Sequence, residues 1–273
     1  MGAPLVVKNV SVTSYVIDSP MEDAARTIAL VLEYDGSGYH GFVRQTGLPS
    51  VAERVEHVLE TLFGHGVKIE AAGRTDAGVH ATGQVVSCVT TSQMQLRRLV
   101  VAASALLRPH AIAVVRAVEC ATGFSARRDA LSRTYRYRIL NRVAPSPLHA
   151  RRAFHVSASL DTDAMRSGAA FLIGEHDFAA FCAVESRSKG TRRNVQSVEL
   201  EQSGDFLDIV ISADSFVHNM VRIVAGTLIE VGRGRRAPAD VDEVLASGDR
   251  ARAGFTAPPH GLYLERVRYA VII

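Results

Sequence analysis

The sequence has 273 residues, of which 47% are hydrophobic and 22% are charged, and its formal net charge is +3. This composition is that of a folded globular protein and excludes an intrinsically disordered one. No apolar run reaches the roughly 20 residues that cross a bilayer, and the first residues lack the charged-then-apolar order of a signal peptide. We therefore expect a cytoplasmic protein.

The first half of the chain is predicted to alternate strands and helices. Apolar, β-branched runs predict strands, and apolar residues at helical spacing predict amphipathic helices. The expected elements are a strand at 27–35, a glycine-rich turn at 36–41, a helix at 50–64, strands at 67–73 and 83–91, a helix from Ser92 to Pro109 and a strand at 111–119. Ser50 and Glu53 form a capping-box pattern. In the second helix, Leu99 and Leu106 are expected to face inward.

The second half repeats this mixture of strands and helices. The expected elements are a strand at 133–140, a helix at 161–174, a hairpin at 195–213 that turns near Ser203–Asp205, a helix at 216–232 and a strand at 261–272. Such a mixture around a central hairpin predicts an α+β protein with two related halves that meet near residues 120–130. Residues 1–26 match no clear pattern.

Cysteine usage indicates neither a disulfide framework nor a metal site. Cys88, Cys120 and Cys182 lie far apart, and the chain contains no C-x-x-C pair and no H-E-x-x-H motif. An odd number of widely spaced cysteines is typical of reduced, buried thiols. We therefore expect three structural thiols and no metal.

Arginine dominates the positive charge, because all but three of the 31 basic residues are arginine. The largest cluster contains Arg127, Arg128, Arg133, Arg136, Arg138, Arg142, Arg151 and Arg152, with Asp129 as its single acid. Smaller clusters contain Arg187, Lys189, Arg192 and Arg193, and Arg233, Arg235 and Arg236. Phe124, Tyr135 and Tyr137 are interleaved with the first cluster. Guanidinium groups suit phosphate, so this pattern indicates nucleic acid; the alternative is a solvated face in an arginine-rich proteome.

The segment "GSGYHG" formally matches a dinucleotide-binding G-x-G-x-x-G motif after a strand. That motif requires a helix to begin inside the loop, where its amino terminus meets the pyrophosphate. Here the predicted helix begins only at Ser50. A plain turn, or a glycine turn near an active site, fits the sequence better.

The segment "AAGRTDAGVHATGQVV" (71–86) places an acid, a cation and a histidine among small residues. One reading is a structural turn, with Asp76 bonding backbone amides and Gly78 at positive φ, beside a surface pair of Arg74 and Asp76. The other is chemical: Asp76 acts as a nucleophile or general base, kept ionised by Arg74 or Arg222. His218, one helical turn before Arg222, fits a structural or phosphate contact better than a base.

This segment resembles the catalytic motif of the TruA family of tRNA pseudouridine synthases, and the resemblance covers almost the whole chain. Other matching segments are "LEYDGSGYHGFVRQ" (32–45), "FSARRDALSRTYRYRILN" (124–141), "GEHDFAAFC", "RRNVQSVEL", "DSFVHNMVRIVAGTLIEVGRG" and "TAPPHGLYLERVRY" (256–269). Residues 1–26 fall outside it. The alanine in "TDAG" is similar to bacterial members. Phe42 stands where many members have tryptophan.

The resemblance implies a cofactor-free and metal-free isomerase that converts uridine to pseudouridine at positions 38 to 40 of the tRNA anticodon arm. It implies a homodimer in which one tRNA contacts both subunits. The implied pseudouridine synthase fold has two related α/β domains, with mostly antiparallel sheets that meet at a central basic cleft. The corresponding division is an extension at 1–26, an amino-terminal domain at 27–123 carrying the aspartate loop, and a carboxy-terminal domain at 124–273.

The resemblance also implies roles for individual residues. Asp76 matches the catalytic carboxylate, and Arg222 matches the basic residue that pairs with it. Tyr135 matches the tyrosine that stacks on the target base, where it would also be placed to assist proton removal. Arg74 would position the RNA in its base-flipped state, and Leu262 would form the floor of the pocket.

From the basic cluster we add Arg127 and Arg128 as phosphate contacts, with His218 as a further substrate contact. Two alternatives remain open at this point. One is a non-catalytic RNA-binding module, which would not need Asp76, Tyr135 and Arg222 together. The other is a nucleotide-cofactor enzyme that uses "GSGYHG".

Overall fold

The computed structural model describes residues 25–184, 190–270 and 273. Its strands are β1 (Arg26–Tyr34), β2 (Glu70–Ala71), β3 (His80–Thr90), β4 (Ile112–Cys120), β5 (Ser132–Asn141), β6 (Phe154–Val156), β7 (Gly174–Asp177), β8 (Arg192–Ser203), β9 (Phe206–Ala213) and β10 (Leu262–Arg268). Its α-helices are α1 (Val51–Phe63), α2 (Leu96–Leu107), α3 (Thr162–Ala170), α4 (Met220–Gly232) and α5 (Asp240–Ser247). The expected α+β mixture is confirmed.

The ten strands form one sheet in the order β4-β1-β3-β10-β5-β9-β8-β7, with β2 added beside β3 and β6 beside β5. Most neighbours are antiparallel; β10 with β3 and β6 with β5 are parallel. The strands that precede residue 123 therefore lie on one side of β10, and β5 to β9 lie on the other. The division into domains at 27–123 and 124–273 stays a prediction.

Local sequence explains where the first helix begins and ends. The Ser50 hydroxyl oxygen accepts the Glu53 backbone N–H at 3.3 Å, as the capping pattern predicts. Gly64 ends the helix in the left-handed conformation that glycine adopts at low cost. Val55 and Leu59 are buried on its inner face. The predicted hairpin is also confirmed, because β8 and β9 pair with Ser203 opposite Phe206.

Four expectations about the helices are wrong. The helix expected at 161–174 ends at Ala170, and Gly174 instead begins β7. The second helix begins at Leu96 and not at Ser92, whose hydroxyl instead accepts the Met94 backbone N–H. Leu106 is 46% exposed, since the inner face of α2 is narrower than its apolar pattern suggests. The helix expected at 216–232 begins only at Met220, because Asn219 has a positive φ of 64°.

The main core contains apolar side chains from both sides of β10. Alternate residues of β1 face opposite sides of the sheet: Ile28 and Leu30 join this core, whereas Ala29 packs in a smaller cluster with Ala72 and Ala126. Ala72 begins the aspartate loop. One wall of that loop is therefore fixed by packing on the sheet.

In the described part of the chain, no helix is both long and apolar enough to cross a membrane. The expectation for residues 1–26 lies almost entirely outside the described residues, apart from the start of β1. Arg187 and Lys189 of the second basic cluster also lie outside them.

Candidate active site

The aspartate loop, residues 72–79, connects β2 to β3 and is held by hydrogen bonds to Gln84, Tyr34 and Phe42. The Gln84 side-chain amide donates to the Gly73 carbonyl at 2.7 Å, and its oxygen accepts the Gly73 N–H at 3.4 Å. The Thr75 hydroxyl is 2.8 Å from the Tyr34 hydroxyl, and the Phe42 N–H donates to the Thr75 carbonyl at 3.0 Å. The loop is therefore rigid around its acid.

Residues 76–79 form the expected turn. The Val79 N–H donates to the Asp76 carbonyl at 3.2 Å, and Gly78 takes a positive φ of 77°. The structural reading of Asp76 is nevertheless wrong in its details. Among the described residues, no backbone amide donates to the Asp76 carboxylate, and Arg74 forms no ion pair with it. The carboxylate is left for other partners.

Two basic side chains approach the Asp76 carboxylate. The His218 Nε2 lies 3.5 Å from one oxygen, and an Arg222 terminal nitrogen lies 3.7 Å from the other. Both distances exceed those of direct hydrogen bonds. The Asp76 side chain is 35% exposed and that of Arg222 is 16% exposed, so the expected buried ion pair is in fact a partly solvated one. This geometry leaves the Asp76 carboxylate beside open space.

Arg222 is fixed without help from Asp76. Its Nε donates to the Ala257 carbonyl at 2.7 Å, and a terminal nitrogen donates to the Asn219 side-chain oxygen at 2.8 Å. The sequence pattern suggested that His218 and Arg222 share a helix, but His218 lies before the start of α4. The left-handed residue Asn219 redirects the chain, and both side chains still converge on Asp76.

A pocket of about 530 Å³ opens beside Asp76. Tyr135 from β5, Leu262 from β10 and Phe216 line it together with Asp76 and Arg222. The rings of Tyr135 and Phe216 meet edge to face, with centroids 5.0 Å apart. This combination of an apolar floor, an aromatic wall and one carboxylate suits a small planar ligand with polar edges.

Tyr135 is an uncharged part of this pocket. Burial raises the pKa of its phenol far above the ordinary value, and the nearby Tyr34 and Asp76 raise it further. Burial likewise raises the pKa of Tyr34 to about 12. A phenolate is therefore not available near neutral pH at either position.

Of the three remaining predicted site residues, two line the pocket and one does not. Arg74 is exposed on the aspartate loop and lines the pocket. Arg127 is also exposed and lines it, whereas Arg128 is exposed but does not. The structure thus brings seven of the eight predicted site residues to one pocket and leaves Arg128 outside.

Comparisons with known proteins identify the family of the chain. A family model described as tRNA pseudouridine synthase matches residues 169–270. The tRNA pseudouridine synthase A of Myxococcus xanthus is 46% identical over 89% of this chain and 91% of its own. The protein of that name from Geotalea uraniireducens is 43% identical over 89% of this chain and all of its own. The one from Thermoanaerobacter sp. strain X514 is 39% identical, with the same coverage as the second.

The chain belongs to the tRNA pseudouridine synthase family. The matched relatives cover the aspartate loop as well as the carboxy-terminal half that the family model matches. The predicted family and fold class are therefore confirmed. The glycine-rich turn takes no part in a dinucleotide site in this synthase, since α1 begins only at Val51.

The glycine-rich turn instead supports the aspartate loop. A Cβ at Gly36 would lie 1.9 Å from the Val79 carbonyl oxygen, so only glycine allows this approach. The Gly36 N–H donates to the buried His80 ring at Nδ1, 3.1 Å away. His80 Nε2 in turn lies 2.9 Å from the Arg151 carbonyl. The histidine of the motif is therefore a structural link in this synthase.

Four of the eight arginines of the large basic cluster pair with distant acids, which corrects the expectation of a free cationic stretch. The pairs are Arg136 with Glu201, Asp208 and Glu265, Arg138 with Asp208, Arg142 with Asp205, and Arg152 with Asp35. Arg133 donates five hydrogen bonds to four backbone carbonyls, of Ala72, Ala130, Asp214 and Arg127. Arg127, Arg128 and Arg151 are exposed and form no ion pair with the described residues, so their guanidinium groups remain available for phosphate.

Sequence reasoning missed three residues of the site. Gln84 lies in a predicted strand, and nothing in its neighbourhood indicates that its amide holds Gly73. Phe216 was absorbed into an apolar helix pattern, although it lies before the helix. Arg193 was counted in a basic cluster but not in the site; it lines the pocket, and its buried Nε has no hydrogen-bond partner among the described residues. Only the charge cluster was a usable signal, and only for Arg193.

Proposed function

We propose that this chain isomerises uridine to pseudouridine in tRNA, at positions 38 to 40 of the anticodon arm. Asp76 supplies the catalytic carboxylate. The single observation that carries the proposal is the Asp76 carboxylate beside Arg222 at the mouth of a pocket walled by Tyr135 and floored by Leu262. Family membership supports the reaction, because the matched relatives are named tRNA pseudouridine synthase A.

The reaction is an isomerisation, so uridine and pseudouridine have the same atoms, and it needs a carboxylate. The C1′–N1 glycosidic bond breaks, the uracil turns, C5 bonds to C1′, and the proton on C5 is lost while N1 gains one. Asp76 can act at C1′, at C6 or on the C2′ proton. In each case a negative group must lie beside the sugar, with water largely excluded from the base.

The pocket supports an extruded base. A uridine inside a helical stem must leave the stack to be reached, which costs a few kcal/mol. In our proposal the faces of Tyr135 and Phe216 and the Leu262 side chain offset part of this cost by contact with the flipped uracil. Because its pKa is raised, Tyr135 contributes as a neutral ring and a hydroxyl donor.

Arg222 and His218 act on the charge of Asp76. The Arg222 guanidinium is held by Ala257 and Asn219, so it stays in place when the carboxylate moves toward the substrate. Burial lowers the pKa of Arg222, and Asp76 opposes that shift. A fixed cation of this kind stabilises the Asp76 carboxylate electrostatically without forming a direct hydrogen bond to it.

The exposed arginines account for binding to the RNA backbone. Arg74 and Arg127 line the pocket and Arg128 lies close by in the chain, so we assign them to phosphate contacts. The buried Nε of Arg193, which has no partner within the described part of the chain, would donate to a further phosphate or carbonyl oxygen. The paired arginines Arg136 and Arg138 have structural roles instead.

Three further features belong to the proposal. We infer from the family resemblance that the protein is a cytoplasmic homodimer, and that residues 27–123 and 124–273 form its two domains. Sedimentation of the full chain across a concentration series tests the dimer. A single monomeric species at micromolar concentration would contradict it.

The decisive experiment incubates the purified protein with unmodified tRNA and no added cofactor. Pseudouridine is then mapped along the RNA by chemical probing. We expect it at one or more of positions 38 to 40 and nowhere else in the tRNA. Binding of the tRNA without any pseudouridine would favour a non-catalytic RNA-binding module.

A further inference from the structure

A second cavity, of about 680 Å³, lies on the other side of Asp76. Six residues line both cavities: Arg74, Thr75, Asp76, His218, Asn219 and Arg222. The candidate catalytic carboxylate therefore stands at the boundary between two spaces. Each falls within the range of about 300–1,000 Å³ that is common for small-ligand sites.

The outer wall of the second cavity is the loop that follows the glycine-rich turn. The loop is closed at its base, where the His40 N–H donates to the Pro49 carbonyl at 3.0 Å. The Gln45 side-chain amide donates to the His40 carbonyl at 2.7 Å, which fixes the orientation of that side chain. The Phe42 N–H bonded to Thr75 ties the loop to the aspartate loop. The wall is therefore preorganised relative to Asp76.

The side chains of this wall suit a nucleobase. Val43 is 42% exposed and offers an apolar contact, and the His40 ring is exposed beside it. Gln45 lines the cavity, and because its NH₂ group already donates to the His40 carbonyl, its side-chain oxygen is the group left to accept a hydrogen bond from a ligand. Phe42 also lines the cavity, but it is only 2% exposed and packs against Tyr34, so most of its ring belongs to the core.

A polynucleotide substrate explains why two cavities share a wall. If the target uridine enters the first cavity, the next nucleotide of the same strand must lie within one phosphodiester of it. Arg74 is exposed on the wall common to both cavities, where the phosphate joining the two nucleotides would pass. A guanidinium suits that phosphate.

We propose that the second cavity binds the base of the nucleotide adjacent to the target uridine, with Val43 and Gln45 as its specific contacts. This inference rests on the proposed function. Recognition of the anticodon arm would then depend on the base of the adjacent nucleotide as well as on the flipped uridine.

The test combines enzyme variants with altered RNAs in a double-mutant cycle. The RNAs are anticodon-arm stem-loops with one target uridine, either intact or lacking the base on its 5′ or 3′ side. The proteins are the wild type, Gln45→Ala and Val43→Ala. The rate of pseudouridine formation is measured under single-turnover conditions with enzyme in excess.

We expect Gln45→Ala to lower kcat/KM on the intact RNA by about fivefold, as for one lost hydrogen bond. On one of the two abasic RNAs it should cause no further loss. Equal losses on all three RNAs would show that the substitution only loosens the loop, and would overturn the proposal. Val43→Ala removes no hydrogen bond of the loop and should give the same coupling.

Arg44→Ala is the matched control. Arg44 is exposed on the same loop, lies outside the second cavity and has a long contact of 3.8 Å with Glu53. Its removal should leave the coupling at zero.

Absence of pseudouridine from the wild type on intact RNA would overturn the proposed function alone. The cavity is then tested by binding RNA that carries 2-aminopurine beside the uridine. The proposal expects a fluorescence change that Gln45→Ala diminishes; no change with the wild type would overturn it.

Discussion

The Gly36 backbone lies directly against the Val79 carbonyl, so closely that a Cβ on residue 36 would be 1.9 Å from the oxygen. Gly36→Ala must therefore displace the end of the aspartate loop or the turn itself. We expect the unfolding free energy to fall by about 3 kcal/mol and kcat to fall with it, because overpacking against backbone cannot be relieved by a rotamer change. Denaturant unfolding and a single-turnover assay measure the two effects.

Gly38→Ala is the control for this prediction. It lies in the same turn, and a Cβ there meets nothing within 4 Å. The substitution should leave stability and activity close to those of the wild type. Equal damage from both substitutions would show that the turn needs flexibility and not close approach.

Asp76→Asn should abolish pseudouridine formation while leaving tRNA binding within several-fold of the wild type. Asparagine keeps the shape of the side chain and removes its charge and basicity, and losses of about 10²–10⁴-fold are usual for such a group. Product is quantified by mass spectrometry, and affinity by filter binding at fixed salt. A variant that still turned over at the wild-type rate would remove Asp76 from the mechanism.

Arg222→Lys should lower kcat strongly with little change in KM. Lysine keeps the positive charge but cannot bond the Ala257 carbonyl and the Asn219 oxygen with a planar fork. We also expect a stability loss of about 1–2 kcal/mol from the two lost contacts. Steady-state kinetics separate the two parameters. A rise in KM alone would mean that Arg222 binds substrate and does not hold the charge of Asp76.

Replacing Arg127 and Arg128 with glutamine should flatten the salt dependence of tRNA affinity. Each lost phosphate contact removes about 0.7–0.9 from the slope of log K against log salt. Arg166→Gln is the control, since that arginine is exposed on α3 and paired with Asp163 at 2.7 Å. An unchanged slope in the double variant would assign the backbone contacts to other residues.

The protein should lose stability as the pH falls from about 6.5. Burial lowers the pKa of His80, although the Asp35 carboxylate at 3.2 Å opposes this shift. We favour the neutral ring, because Nδ1 accepts the Gly36 N–H. Burial also lowers the pKa of His260. The unfolded chain therefore binds more protons than the native one below that pH.

The direction of this pH effect follows from the lowered pKa of His80. The contribution of His80 is fully present above the ordinary histidine pKa and is lost as the pH drops toward its lowered native value. Denaturant unfolding between pH 5.5 and 7.5 measures the slope, which should be shallower in His80→Gln. Parallel curves for the two proteins would mean that other groups control the acid sensitivity.

The longer strands and helices and the hairpin were predictable because each is encoded by a local period of apolar residues, whereas β6, β7 and α5 were not predicted. The beginnings of α2 and α4 were not, since they depend on side chains and backbone angles that the period does not contain. Asn219 shows this well: one left-handed residue moves the start of α4 past His218. The place of β10 between β3 and β5 is likewise a long-range fact, with partners more than a hundred residues away.

The site was predictable to a different degree. The residues around Asp76 were named from the resemblance of their segments to the TruA family, and the structure places all but Arg128 at one pocket. The state of the basic cluster could not be predicted, because Arg136 and Arg138 are neutralised by Glu201, Asp208 and Glu265 from distant strands. A count of charges along the chain does not reveal such pairing. Gln84 escaped notice for the same reason, as its partner Gly73 lies across the loop.

The position of β10 has a consequence for synthesis on the ribosome. It is the only described strand that joins β3 to β5, it carries Leu262, and it is the last of the ten to be translated. Until it emerges, the earlier strands have two unpaired edges facing each other, which is a state open to aggregation. A nascent chain stalled before residue 262 should therefore be a client for chaperones and should lack a closed uridine pocket.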